Sequence, residues 1–138
     1  MAAPRILAFA GSLRKDSFNK KLVKIAAEGA LSAGAEVTVI DLKEFSLPVY
    51  DGDLEEAEGL PAGAKKLKQL FLEHHGLLIS SPEYNSSIPG GLKNMIDWVS
   101  RTETEDEPPL ACFNKKVAAI MSASPGGLGG LRALVPLR

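Results

Sequence analysis

The chain holds one cysteine, Cys112, in 138 residues. A single thiol forms no intramolecular disulfide and no thiolate metal cage, so Cys112 reads as a small apolar residue, partly buried. Aromatic residues make up only 6% of the chain. No apolar run approaches the roughly 20 residues that span a bilayer. Neither sign of charge dominates: 16 Lys and Arg stand against 17 Asp and Glu, a net charge of −1. Such balance gives no electrostatic footprint for nucleic acid and no polybasic face for a membrane. The opening residues lack the basic and long apolar regions of a secretion signal. A cytoplasmic location is the expectation, and the scarcity of cysteine agrees with it. The length suits one domain, so residues 1–138 are read as a single unit.

What is present is an alternation of strand-like and helix-like segments. Arg5 to Ala10 is a short apolar run that stops at Gly11-Ser12, as a strand buried on both faces does. From Phe18 to Ala33 the period is helical, with Phe18, Leu22, Ile25, Ala26 and Ala30 on the apolar side. Ser17 suits its N-cap and Gly34 its C′ position. Glu36 to Asp41 is β-branched and reads as a second strand. Residues 42–60, with Pro48, Gly52, Gly59 and an acidic cluster, read as a long exposed loop. Pro61 opens a helix through Glu73, and Gly76 to Ser80 is a third strand. Pro89 precedes a helix to about Ser100 with Leu92, Met95, Ile96 and Val99 inward. His74 and His75 fall at a helix C-terminus, where they serve the dipole and solvent. Val117 to Met121 is a fourth strand, followed by a glycine-rich loop and an apolar helical tail.

This β-α-β-α-β-α-β-α order predicts an α/β, doubly wound parallel sheet with helices on both faces. Such sheets usually carry a fifth strand. The apolar tail around Leu131, Leu134 and Leu137 therefore suggests a truncated chain that lacks a fifth strand.

Ligands of such sheets bind beyond the carboxyl ends of the strands. Three loops leave those ends, over residues 11–19, 81–89 and 122–130. The first has neither the P-loop ending nor Gly-x-Gly-x-x-Gly, which disfavours triphosphate hydrolysis and dinucleotide-type pyrophosphate binding. It offers the hydroxyls of Ser12 and Ser17, the Asn19 amide, the Arg14 guanidinium and free backbone N–H groups. That set suits one terminal phosphate monoester, and it suits equally a Ser-capped helix beside a surface arginine. The second loop, from Ser81 to Gly91, offers backbone groups around Glu83 and Asn85 and the Tyr84 ring to a planar heterocycle. The third lets the backbone approach a flat ligand closely, or serves as a linker. No His-acid-hydroxyl set converges on these loops, and no metal-ligand spacing is visible. A site with phosphate donors and no acid–base apparatus points to a cofactor that carries the chemistry itself.

The stretches Gly11-Ser12-Leu13-Arg14 with Ser17 and Asn19, then Pro82-Glu83-Tyr84-Asn85-Ser86-Ser87-Ile88-Pro89-Gly90-Gly91-Leu92-Lys93-Asn94 with Ile96-Asp97-Trp98, and Ser122 with Gly126-Gly127, Gly130 and Arg132 resemble the NADPH-dependent FMN reductase family. That family includes quinone, chromate and azo-dye reductases. The resemblance implies a flavodoxin-like fold, strand order 2-1-3-4 for the four strands present with the family's fifth strand and last helix missing, and non-covalent FMN. By it, Ser12, Arg14, Ser17, Phe18 and Asn19 hold the phosphate. Pro82, Glu83, Tyr84 and Asn85 line the isoalloxazine, with Ser122, Ser124 and Gly126 on its other border. The implied activity passes a hydride from NADPH or NADH through FMN to a quinone, metal oxyanion, azo compound or free flavin. The implied assembly is a homodimer or dimer of dimers, with Leu47 to Asp51 near the interface. The alternatives are a flavodoxin-like electron carrier and an inactive fragment.

Overall fold

The computed structural model describes residues 2–138. Four strands form one parallel sheet: β1 (Arg5–Ala10), β2 (Glu36–Ile40), β3 (Gly76–Ser80) and β4 (Val117–Met121). Their order is β2-β1-β3-β4, as expected. The central strand β1 alternates its residues between two helical layers. Leu7 and Phe9 enter the larger core with Leu67, Phe71, Leu77, Ile79, Leu92 and Met95. These come from α3 (Ala62–Glu73), α4 (Gly90–Val99) and β3. Ala8 and Ala10 face the other way, against Val23 and Ala27 of α1 (Phe18–Ser32). Alanines on that face let α1 lie close to the sheet, so one thin and one thick layer sandwich it. The last helix, α5 (Leu131–Leu137), lies on the α3–α4 side, where Leu137 reaches the larger core.

Several expectations are corrected. The buried stripe of α1 is Asn19, Val23 and Ala27, whereas Phe18 and Ile25 are 60% and 65% exposed. Hydrophobicity placed the stripe on the larger side chains. Packing over Ala8 and Ala10 selects a face with small residues. Residues 42–60 are not all loop. A 3₁₀ turn spans Leu42–Glu44, and α2 spans Gly52–Glu58. Asp51 caps α2 by accepting from the Asp53 N–H at 2.9 Å, and the acidic first turn complements the helix dipole. This helix buries none of its residues, so no apolar period reveals it. Cys112 is fully buried rather than partly so. His74 is buried too, its ring nitrogens bonded to the Leu70 carbonyl at 2.6 Å and the Thr38 hydroxyl at 2.8 Å. It thus serves the helix end but not the solvent.

Candidate functional site at the carboxyl edge of the sheet

The three loops do leave the sheet side by side. Backbone bonds continue the ladder one residue past the strands: Gly11 N–H donates to Ser80 O and Ser81 N–H to Met121 O, both at 2.9 Å. The loops therefore start from one level. Gly11 is packed against α4; a Cβ there would lie 2.7 Å from Leu92 Cδ2, so a side chain would push the first loop off that helix.

In the first loop Ser12 is buried, and its Oγ accepts from the Arg14 N–H at 3.2 Å. The Tyr84 hydroxyl lies 3.5 Å from the same oxygen. Ser17 caps α1 by accepting from the Asn19 N–H at 3.2 Å. The N–H groups of Leu13, Lys15 and Phe18 have no partner among the described residues. Arg14 and Lys15 are exposed, and Arg14 forms no ion pair among the described residues. Lys20, by contrast, holds Asp41 at 2.6 Å. Burial alone would raise the Asp41 carboxyl, but bonds from Lys20 and the Lys43 N–H, with both lysine charges, hold it below its ordinary value.

In the second loop a two-residue turn projects from the sheet. Tyr84 and Ser87 exchange backbone bonds at 2.9 and 3.1 Å around Asn85 and Ser86, whose φ values are +51° and +65°. Two consecutive left-handed residues are the pattern of a type I′ turn, and Asn tolerates that conformation better than most residues. Glu83 turns its carboxylate to α5. It accepts from Arg132 Nε at 2.7 Å, from the Arg132 N–H at 3.1 Å, and pairs with Arg132 Nη2. Between the first loop and this one lies a recess of about 310 Å³ bordered by Leu13, Arg14, Tyr84 and Pro89.

The third loop is tied down from two directions. Ala123 is bonded to the Asn19 side chain through both its N–H and its carbonyl, at 2.9 and 3.0 Å. Gly130 packs on Ser122 with φ +84°, and a Cβ there would fall 1.9 Å from Ser122 Oγ. That oxygen is buried and has no hydrogen-bond partner among the described residues. Ser124 Oγ accepts from the Gly126 N–H at 3.1 Å, which closes the tip of the loop.

The fold thus gathers all twelve expected residues onto one edge, though in different states. Arg14, Phe18, Tyr84, Asn85, Ser124 and Gly126 are exposed; Pro82 and Glu83 are partly buried; Ser12, Ser17 and Asn19 are buried. Ser122 is partly buried, with its hydroxyl covered. Sequence reasoning gave no role in the site to Ser80, nor to Gly130 and Arg132, which it quoted only within the family motif. Ser80 had a signal: a hydroxyl ending the otherwise apolar strand Gly76-Leu77-Leu78-Ile79. Among the described residues no group of three or more His, Cys, Asp or Glu is placed to hold a metal. No helix there is long and apolar enough to cross a membrane.

The sequence model of the NADPH-dependent FMN reductase family matches residues 4–138. A quinone reductase of Escherichia coli strain K12 is 38% identical over 138 residues; the match covers 97% of this chain and 67% of the relative. An NAD(P)H-dependent FMN reductase of Pseudomonas aeruginosa is 36% identical over 134 residues, with the same two coverages. Among solved structures, a flavoenzyme NAD(P)H:(acceptor) oxidoreductase from Paracoccus denitrificans superposes with a TM-score of 0.79 at 33% identity, over 98% of this chain and 69% of that one. The chain therefore spans about two thirds of the length of these relatives.

Proposed function

Because the chain belongs to the NADPH-dependent FMN reductase family, an oxidoreductase family, we propose that it binds FMN along the carboxyl edge of its sheet and reduces a small acceptor with NADPH or NADH. The observation that carries this reading is the donor-rich first loop set beside a buried hydroxyl without a partner. Unpaired N–H groups at Leu13, Lys15 and Phe18, the hydroxyls of Ser12 and Ser17, and the free Arg14 guanidinium suit a dianionic phosphate. Ser122 Oγ is buried beneath Gly130 and unpaired among the described residues, a state that costs about 1–3 kcal/mol, and a polar ring edge would relieve that cost once Gly130 moves off it. The residues present fit the cofactor.

In this reading Ser12, Arg14, Ser17 and Phe18 hold the phosphate end, with Asn19 beneath them. Pro82, Glu83, Tyr84 and Asn85 border one side of the ring, and Ser122, Ser124 and Gly126 the other. When bound, the flavin supplies acceptance of a hydride and its transfer to a quinone, metal oxyanion, azo compound or free flavin. The protein's own share is positioning. The type I′ turn presents Tyr84 on a short rigid hairpin, and the Glu83–Arg132 pair fixes the foot of that hairpin to α5. No side chain of the site is required as a proton donor. We further place the protein in the cytoplasm as a homodimer or dimer of dimers. Supporting the assembly, the Leu47–Asp51 segment is pinned at Pro48 and apolar at its tip: Asn94 and Trp98 both donate to Pro48 O at 2.8 Å, while Val49 stands exposed.

The test is FMN titration followed by steady-state NAD(P)H oxidation with a quinone. Saturable FMN binding and repeated turnover are expected. An electron carrier would be reduced once and stop, and a chain that binds no flavin would refute the reading.

A further inference from the structure

Asn19 stands out because its side chain is already committed. It is 2% exposed, beneath the first turn of α1. Its Oδ1 accepts from Ser80 Oγ at 2.8 Å and from the Ala123 N–H at 2.9 Å, and its Nδ2 donates to Ala123 O at 3.0 Å. Both acceptor positions of the oxygen are filled, and one N–H remains. The amide pairs with the N–H and the carbonyl of one residue, as a neighbouring strand's backbone would. It thereby extends the sheet past the end of β4. Ala123 lies between Ser122 and Ser124, and two residues before Asn19 comes Ser17.

We propose that Asn19 is a positioning residue that registers the 122–126 loop against the phosphate loop, and that it acts on the ring end of the ligand through Ala123 rather than by holding the phosphate. This rests on the FMN reading above, and it departs from the role that family resemblance implies. The bonds give it a definite mechanism. Without the amide, Ala123 loses two bonds and Ser80 one, and the loop carrying Ser122 and Ser124 is no longer tied to α1.

Riboflavin separates the two roles, because it has the ring and lacks the phosphate. Asn19→Ala is expected to weaken FMN and riboflavin by the same factor, on the order of tenfold or more, as loss of two or three buried bonds implies. The ratio of the two affinities then stays at the wild-type value. Arg14→Ala is the control, lowering FMN affinity and sparing riboflavin. Asn19→Asp keeps both acceptor positions, removes the donation to Ala123 O and adds a negative charge beside the phosphate loop, so it is read with the uncharged ligand alone. Its riboflavin affinity is expected to fall between wild type and Asn19→Ala, and it decides the matter if Asn19→Ala shows no cooperative unfolding transition. Loss confined to FMN in Asn19→Ala would overturn the proposal, and so would unchanged riboflavin affinity in both variants. If the wild-type chain binds neither ligand, it is the flavin reading itself that falls.

Discussion

The clamp between Glu83 and Arg132 makes a quantitative prediction because its two partners are not equivalent. Three contacts join them, but one comes from the Arg132 backbone N–H and survives any substitution of that side chain except proline. The Arg132 side chain is 56% exposed and the Glu83 side chain only 10%. Solvent therefore replaces much of what Arg132→Ala removes. An exposed ion pair contributes about 0.2–1 kcal/mol, and the partial shielding here argues for the upper end, about 1 kcal/mol. Glu83→Ala removes all three contacts and leaves the N–H at the start of α5 without its acceptor. One charged hydrogen bond to the backbone contributes about 1.5–3 kcal/mol, and with the ion pair's share of about 1 kcal/mol this variant should cost about 2.5–4 kcal/mol. The double variant should cost no more than Glu83→Ala, since Arg132 has nothing left to lose. Urea unfolding followed by far-UV circular dichroism measures all four corners of the cycle. Equal costs for the two single variants, or costs that add in the double variant, would show that the clamp does not link the second loop to α5.

Removing Arg14 together with Ser17, by Arg14→Ala and Ser17→Ala, should weaken FMN binding on the order of 30-fold or more, because one charge-assisted and one neutral bond are lost. Fluorescence titration with unchanged affinity would remove the first loop from the phosphate site. Glu107 adds to the acid sensitivity alongside Asp41: burial would raise its carboxyl, but Lys68, the Glu103 N–H and the lysine charge hold it below its ordinary 4.5. Its contribution is thus fully present above that value and is lost as pH falls through the lowered one, so Glu107→Gln should be less stable at pH 7 and show a shallower fall in urea midpoint on acidification. Identical pH profiles for wild type and variant would sink this assignment. Finally, β4 is an uncharged edge strand whose Val117 is 80% exposed, and bare edges of this kind pair with other chains. The 138-residue chain should form species larger than a tetramer on size-exclusion chromatography, and Val117→Lys should reduce them; a monodisperse wild-type profile would contradict the argument.

How legible the molecule was depends on which force fixed each part. β1, β3 and β4 were readable as short apolar runs ended by glycine or serine and β2 by its β-branched residues, and burial on both faces leaves no other reading for Leu7 to Ala10. Helix ends were readable where a cap marked them: Ser17, Pro61 and Pro89 stand where the helices begin. What stayed hidden was decided by partners distant in sequence. The inward face of α1 was set by Ala8 and Ala10 rather than by its own largest side chains. Helix α2 has no buried residue, so only its cap and acidic first turn betray it. The same division runs through the site. The loops could be found from strand ends and small residues, but the sequence order of Asn19, Ser80 and Ala123 carries no sign that one amide binds the other two. Residue type and family resemblance made Asn19 a phosphate donor, and the bonds it already makes argue for another role. A polar residue in a binding loop has to be counted against its protein partners before it is offered to a ligand. By that count the first loop keeps the Arg14 guanidinium and the N–H groups of Leu13, Lys15 and Phe18 unpaired among the described residues, while Asn19 and Glu83 are spent on tying the third loop to α1 and the second to α5.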